Sequence, residues 1–168
     1  MVRSIDKLVL RLILLISICV LLIVFVAQFI YDLEPCILCK FQRIPYFAAI
    51  LFVGLALHIK KANQAGTVKV IGFIFIVGAV LAFYHNGVEQ YWWNAATGCG
   101  NSGKFPISFE NFQSQLIAKM PKRCDQIDWT LFGFSMTVYN MLLSIILAAL
   151  CLSSGLFDRN TKRNLVKE

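Results

Sequence analysis

Residues 12–30 read LILLISICVLLIVFVAQFI, a run without a charged side chain in which Gln28 is the single amide. A helix needs about 20 consecutive apolar residues to cross the hydrocarbon core of a bilayer, so this run has the length of a crossing. Three further apolar runs follow at 44–59, 68–84 and 131–152. The chain of 168 residues is 58% apolar with a mean hydropathy of +0.70, well beyond an ordinary soluble domain. These runs predict an all-α membrane protein, one domain over 1–168. It is a four-transmembrane-helix bundle with a short outer loop at 31–43 and a long one at 85–129. Arg3, Lys7 and Arg11 ahead of the first run resemble the start of a secretory signal. The run is longer than a signal core and lacks a small-x-small cleavage site, so it is read as a retained helix.

Charge sets the orientation. Arg3, Lys7 and Arg11, then Lys60, Lys61 and Lys69, then Arg159, Lys162, Arg163 and Lys167 all fall on one face, with only Asp6, Asp158 and Glu168 against them. The other face balances six bases with six acids, so the net charge of +7 lies on one side. The positive-inside rule makes that side cytoplasmic, with both termini on it. Topology accounts for the basic pI, and nucleic-acid binding is not required. Within the long loop, Phe109, Phe112, Leu116 and Met120 recur at helical spacing between Pro106 and Pro121. They suit an interfacial amphipathic helix, the alternative being a loop whose apolar residues pack on the bundle. Tyr91, Trp92, Trp93 and Trp129 suit an interfacial belt. The tail from Asp158 is expected to fray.

The chemistry lies in cysteines. Cys36 and Cys39, in PCILC, and Cys99 and Cys124, in the long loop, all face the non-cytoplasmic side, where disulfides persist. Cys19 and Cys151 fall inside helices and read as small packing residues. A bridge between Cys36 and Cys39 would constrain little chain, so stabilisation is a poor reason for it, whereas a redox-active pair is a good one. Zinc held by all four outer cysteines is the metal alternative, disfavoured by the wide spacing of Cys99 and Cys124. Arg43, four residues after Cys39, either favours a thiolate there together with the helix dipole or anchors the helix at the interface. Pro45 argues for a later helix start. His85 and Glu89 stand at i and i+4, and His85 suits a hydrogen bond to a quinone or a carboxylate. Gln28 is an intramembrane amide that needs a partner, whether for a helix–helix bond or for function.

The ordered set of Gln28, Cys36-Ile37-Leu38-Cys39, Arg43, His85, Cys99 and Cys124, with residues 124–136 reading CDQIDWTLFGFSM, resembles the DsbB family of bacterial inner-membrane disulfide bond formation proteins. The resemblance covers nearly the whole chain. It implies a protein dithiol:quinone oxidoreductase that reoxidises a periplasmic thioredoxin-like partner (DsbA) and passes two electrons to ubiquinone or menaquinone, an arrangement already established for the family. It further implies that Cys99–Cys124 takes electrons from the partner through a mixed disulfide at Cys99, and that Cys36–Cys39 is reduced next. Cys39 then engages the quinone, with Arg43, His85 and Gln28 as quinone-site residues and no metal. The established potential of DsbA, about −120 mV, demands a more oxidising sink than cysteines alone supply. The pair precedes the second helix, unlike the related epoxide-reductase-like enzymes, whose pair precedes the last. A competing class is a non-enzymatic tetra-spanning scaffold braced by structural loop disulfides.

Overall fold

A computed structural model describes residues 2–59, 63–94, 123–127 and 129–165. Four helical spans are long and apolar enough to cross a membrane, the second being Ile37–His58 taken as a whole. Helix α1 spans Val2–Phe29, and a short α2, Ile37–Phe41, leads into α3, Ile44–His58. Helix α4 spans Gln64–Glu89. A two-residue hairpin of β1, Thr130–Leu131, and β2, Phe134–Ser135, precedes α5, Met136–Leu165. The proposed amphipathic helix, Cys99, Lys60 and Lys61 lie outside the described residues.

Local chemistry explains the boundaries. Pro45 has no N–H to offer the carbonyl of Phe41, and its ring crowds that carbonyl, so the hydrogen-bond ladder is interrupted at Gln42–Arg43, whose backbone stays helical, and resumes with proline in the first turn of α3. Asn63 caps α4 by accepting the Gly66 N–H at 3.1 Å. The apolar run at 131–152 does not begin as helix. Thr130 pairs with Ser135 and Leu131 with Phe134 around Phe132 and Gly133, both at positive φ, the backbone of a tight hairpin turn. Gly133 adopts that geometry without strain, and the helix starts at Met136. The C-terminal tail expected to fray continues α5 to Leu165.

The helices bury one narrow stripe each and leave the rest apolar. Leu10, Ile13, Tyr46, Val53, Ile71, Phe75, Leu147 and Cys151 form the inner cluster, while Leu15, Ile23, Phe73 and Val80 are each 60% or more exposed on the outside. In water such a surface would be an aggregation site; in lipid it is the expected exterior. Packing is closest between α4 and α5 and between α1 and α3. Small residues permit the approach: a methyl placed on Gly72 would stand 2.9 Å from the Cys151 Cβ. Cys151 is thus packing material, whereas Cys19 is exposed on the outer surface of α1.

Candidate functional site

The site sits where α2 meets the C-terminal end of α4. Cys36, in extended backbone, is the N-cap of α2, its sulfur accepting the Cys39 N–H at 3.3 Å. The cap folds Cys39 back over Cys36, and the Cys36 thiol donates to the Cys39 sulfur at 3.2 Å. Cys36 is buried and Cys39 half-buried. That donated hydrogen bond, reinforced by burial, pushes the Cys36 thiol from its ordinary 9.0 up to about 12. Cys36 is therefore the sulfur that keeps its proton. A disulfide is about 2.05 Å long, so the two sulfurs already lie within about 1.2 Å of bonding distance.

His85, 1% exposed on the last turns of α4, closes one side. Its Nε2 stands 3.5 Å from Cys36 Sγ and 3.8 Å from Glu89 Oε1. Gln42 Nε2 donates to His85 Nδ1 at 2.9 Å, Asn140 Nδ2 donates to Gln42 Oε1 at 2.7 Å, and the Tyr46 hydroxyl donates to Asn140 Oδ1 at 2.6 Å. An amide nitrogen only donates, so in this arrangement the neutral imidazole carries its proton on Nε2, facing the sulfur and the carboxylate. Glu89 is buried as well, its Oε2 accepting from Ser135 at 2.6 Å and from Thr137 at 2.5 Å. These bonds fasten the end of α4 to the start of α5.

Arg43 and Gln28 form a separate pair. Arg43 donates to Gln28 Oε1 at 2.6 Å, its guanidinium lies 5.3 Å from the Phe25 ring centroid, and its charge acts on the Cys39 sulfur. Arg43 Nε is buried without a hydrogen-bond partner among the described residues. Gln28 thus meets a cation, as an intramembrane amide requires.

Cys124, 1% exposed, packs with Cys36, Leu38 and Val88 in an outer apolar cluster, with Cys39 and Trp93 against it. Trp93 stacks on Tyr84 with ring centroids 5.9 Å apart and donates from Nε1 to the Tyr84 carbonyl at 2.9 Å. Tyr91, Trp92 and Trp129 are exposed, as belt residues are; Trp93 instead roofs the site. Arg123 pairs with Asp125, which holds that carboxyl below its ordinary range.

Four of the sequence-derived site residues, Cys36, Cys39, His85 and Cys124, thus converge on one cluster. Arg43 and Gln28 converge on a second spot beside Cys39, and Cys99 lies outside the described residues. Gln42, Asn140, Tyr46, Ser135 and Thr137 were not singled out from the sequence. Their amides and hydroxyls lie in apolar helices or beside them, and that polarity is the signal that could have found them. Chemically, the arrangement can exchange thiols and disulfides between close sulfurs and support a thiolate at Cys36 with the His85 Nε2–H.

The family model described as disulfide bond formation protein DsbB matches residues 6–154. Disulfide bond formation protein B of Xanthomonas oryzae pv. oryzae (strain MAFF 311018) is 36% identical over 138 residues, covering 77% of this chain and 78% of the relative. That of Xylella fastidiosa (strain Temecula1) is 32% identical over 131 residues, covering 73% and 74%. An uncharacterized protein of Rickettsia prowazekii is 30% identical over 134 residues, covering 79% and 77%. No solved structure matches the chain significantly.

Proposed function

Because the chain belongs to the DsbB family of disulfide bond formation proteins, we propose that it reoxidises a periplasmic DsbA-like dithiol protein and delivers the two electrons to membrane quinone. The observation that carries this reading is the Cys36–Cys39 sulfur pair at the head of α2, with Cys124 packed against it and Arg43–Gln28 beside it. In the proposal residues 1–168 act as one domain of the bacterial inner membrane, with cytoplasmic termini and periplasmic cysteines.

The sulfur chemistry balances as two successive exchanges. The partner's dithiol gives two electrons and two protons to the Cys99–Cys124 disulfide, by way of a mixed disulfide at Cys99, and leaves oxidised. The Cys99 and Cys124 thiols then reduce the Cys36–Cys39 disulfide and re-form their own bond. The burial of Cys124 against Cys36 supports the second exchange, since attack needs only a short approach of sulfurs. Cys36 holds the proton of the reduced pair, and the His85 Nε2–H faces its sulfur at 3.5 Å, placed to stabilise the thiolate once that proton leaves.

The residues beside Cys39 fit a quinone. A half-buried cation with an N–H unpartnered among the described residues, an amide and an aromatic ring are set among apolar side chains that the bilayer reaches. In the proposal Arg43 and Gln28 hold and orient the quinone against Cys39, with His85 beside Cys36. When bound, the quinone supplies the two-electron, two-proton sink.

The test is quinone reduction by the purified protein in detergent, given a reduced thioredoxin-like donor and either ubiquinone or menaquinone. Sustained cysteine-dependent turnover is expected. No turnover with any donor and either quinone, alongside bridges that resist mild reductant, would favour the structural scaffold instead.

A further inference from the structure

The atoms at the centre of the site also form a ligand set. Cys36 Sγ, Cys39 Sγ and a ring nitrogen of His85 all lie within 4.8 Å of one another. Around a tetrahedral zinc ion, with bonds of about 2.3 Å to sulfur and about 2.05 Å to nitrogen, two sulfurs stand about 3.8 Å apart and a sulfur and a nitrogen about 3.6 Å. The distances here are 3.2 Å between the sulfurs and 3.5 Å from Cys36 Sγ to His85 Nε2. A small rotation of the half-buried Cys39 side chain brings the set into register.

We infer that the reduced site binds one thiophilic divalent cation of the zinc class through Cys36 Sγ, Cys39 Sγ and His85 Nε2, and that the bound ion holds the pair as a dithiolate. This differs from a site of four cysteines, because Cys99 and Cys124 are not ligands. One cation enters, the protons still held by the two sulfurs leave, and no electron moves. Three protein ligands leave a fourth position for water, the pattern of an exchangeable site.

The surrounding network is built to accept this. A metal on Nε2 moves the ring proton to Nδ1, where it needs an acceptor, commonly a carbonyl or carboxylate. Half a turn of the Gln42 amide presents Oε1 to that N–H. Gln42 Nε2 then donates to Asn140 Oδ1, and Asn140 Nδ2 to the Tyr46 oxygen, so each hydrogen bond of the chain survives with its direction reversed. The Tyr46 hydroxyl is left with a proton to place. Ser144, 1% exposed, interacts with that hydroxyl and is the group towards which its proton turns. Glu89, 3.8 Å from His85 Nε2, adds negative charge at the site.

Binding does not rest on the electron relay; only its consequence, arrest of turnover, does. The experiment titrates the reduced full chain in detergent with Zn2+ against a chromophoric chelator. One ion per chain is expected, removable by EDTA, with proton release and with Cys39 protected from alkylation. The same chain with Cys36–Cys39 oxidised is expected to bind none. Cys36→Ser, Cys39→Ser and His85→Ala each weaken binding by more than about tenfold, and Gln42→Leu by about 10–100-fold, the usual effect of removing a partner behind a ligating histidine. The double variant Cys99→Ser/Cys124→Ser retains it. Equal binding by oxidised and reduced chain, undiminished binding by Cys36→Ser, or loss of binding in the double variant would overturn the inference. The oxidised–reduced comparison needs no substitution, so it decides even where a variant does not fold. Zinc binding without any turnover by the metal-free protein would sink the relay and leave this site standing.

Discussion

Replacing Gly87 by alanine is expected to destabilise the outer end of the bundle through one contact. A methyl there would stand 2.0 Å from Cζ2 of Trp93, against the roughly 3.5–4.0 Å of an ordinary carbon contact, so the indole must leave its place. Leaving removes the Nε1 hydrogen bond to Tyr84, about 0.5–1.5 kcal/mol, and the stack on its ring, about 0.5–1.5 kcal/mol. Lost packing over Cys36, Leu38, Val88 and Cys124 adds about 1–2 kcal/mol. Alanine's better helix propensity returns up to about 1 kcal/mol, so the net loss is about 1–5 kcal/mol. The assay is equilibrium unfolding in mixed micelles, run as a double-mutant cycle with Trp93→Ala. In the Trp93→Ala background Gly87→Ala should become neutral or stabilising, because the clash has gone while the propensity gain remains. An equal destabilisation in both backgrounds would refute the reasoning.

Cys36 should resist alkylation in the reduced protein: with its thiol near 12, its thiolate fraction at pH 8 is about a thousandfold below that of a thiol at 9.0. Labelling should rise about tenfold per pH unit toward pH 12, and a plateau near pH 9 would contradict the placement of the proton. The sign for stability follows: the folded value is raised, so the contribution is complete below pH 9 and is lost between pH 9 and about pH 12, in the reduced form only. Cys39→Ala should abolish multiple turnover while leaving one equivalent of partner oxidised by Cys99–Cys124; retained turnover with quinone would refute the relay. Arg43→Ala should chiefly raise the apparent KM for quinone, by about tenfold or more for loss of a charged hydrogen bond, and an unchanged KM would reduce Arg43 to a lipid anchor.

The membrane architecture was legible because its cause is local: each apolar run has the length of a crossing, and no other solvent tolerates Phe73 or Leu15 on the outside. Pro45 announced the break before α3 for an equally local reason, a missing N–H. The hairpin at Thr130–Ser135 hid inside an apolar run, since hydropathy does not register that Phe132 and Gly133 turn the chain. In the site, the Cys36–Cys39 spacing and the His85–Glu89 step were visible as sequence intervals. The contacts between them were not, because Gln42 meets His85 across 43 positions and Asn140 across 98. A single amide in an apolar helix says that it needs a partner and nothing about where the partner stands.

The interruption between α2 and α3 also has a mechanical consequence. Any exchange of sulfur partners demands that Cys36 or Cys39 shift by an ångström or so. Were the pair part of one unbroken spanning rod, that displacement would have to be carried into the bilayer. Here the rung from residue 45 to the Phe41 carbonyl is already absent, although Gln42 and Arg43 keep helical backbone angles. The turn that carries the sulfurs is thus tied to the lipid-spanning helix by one hydrogen bond fewer than an unbroken rod would have.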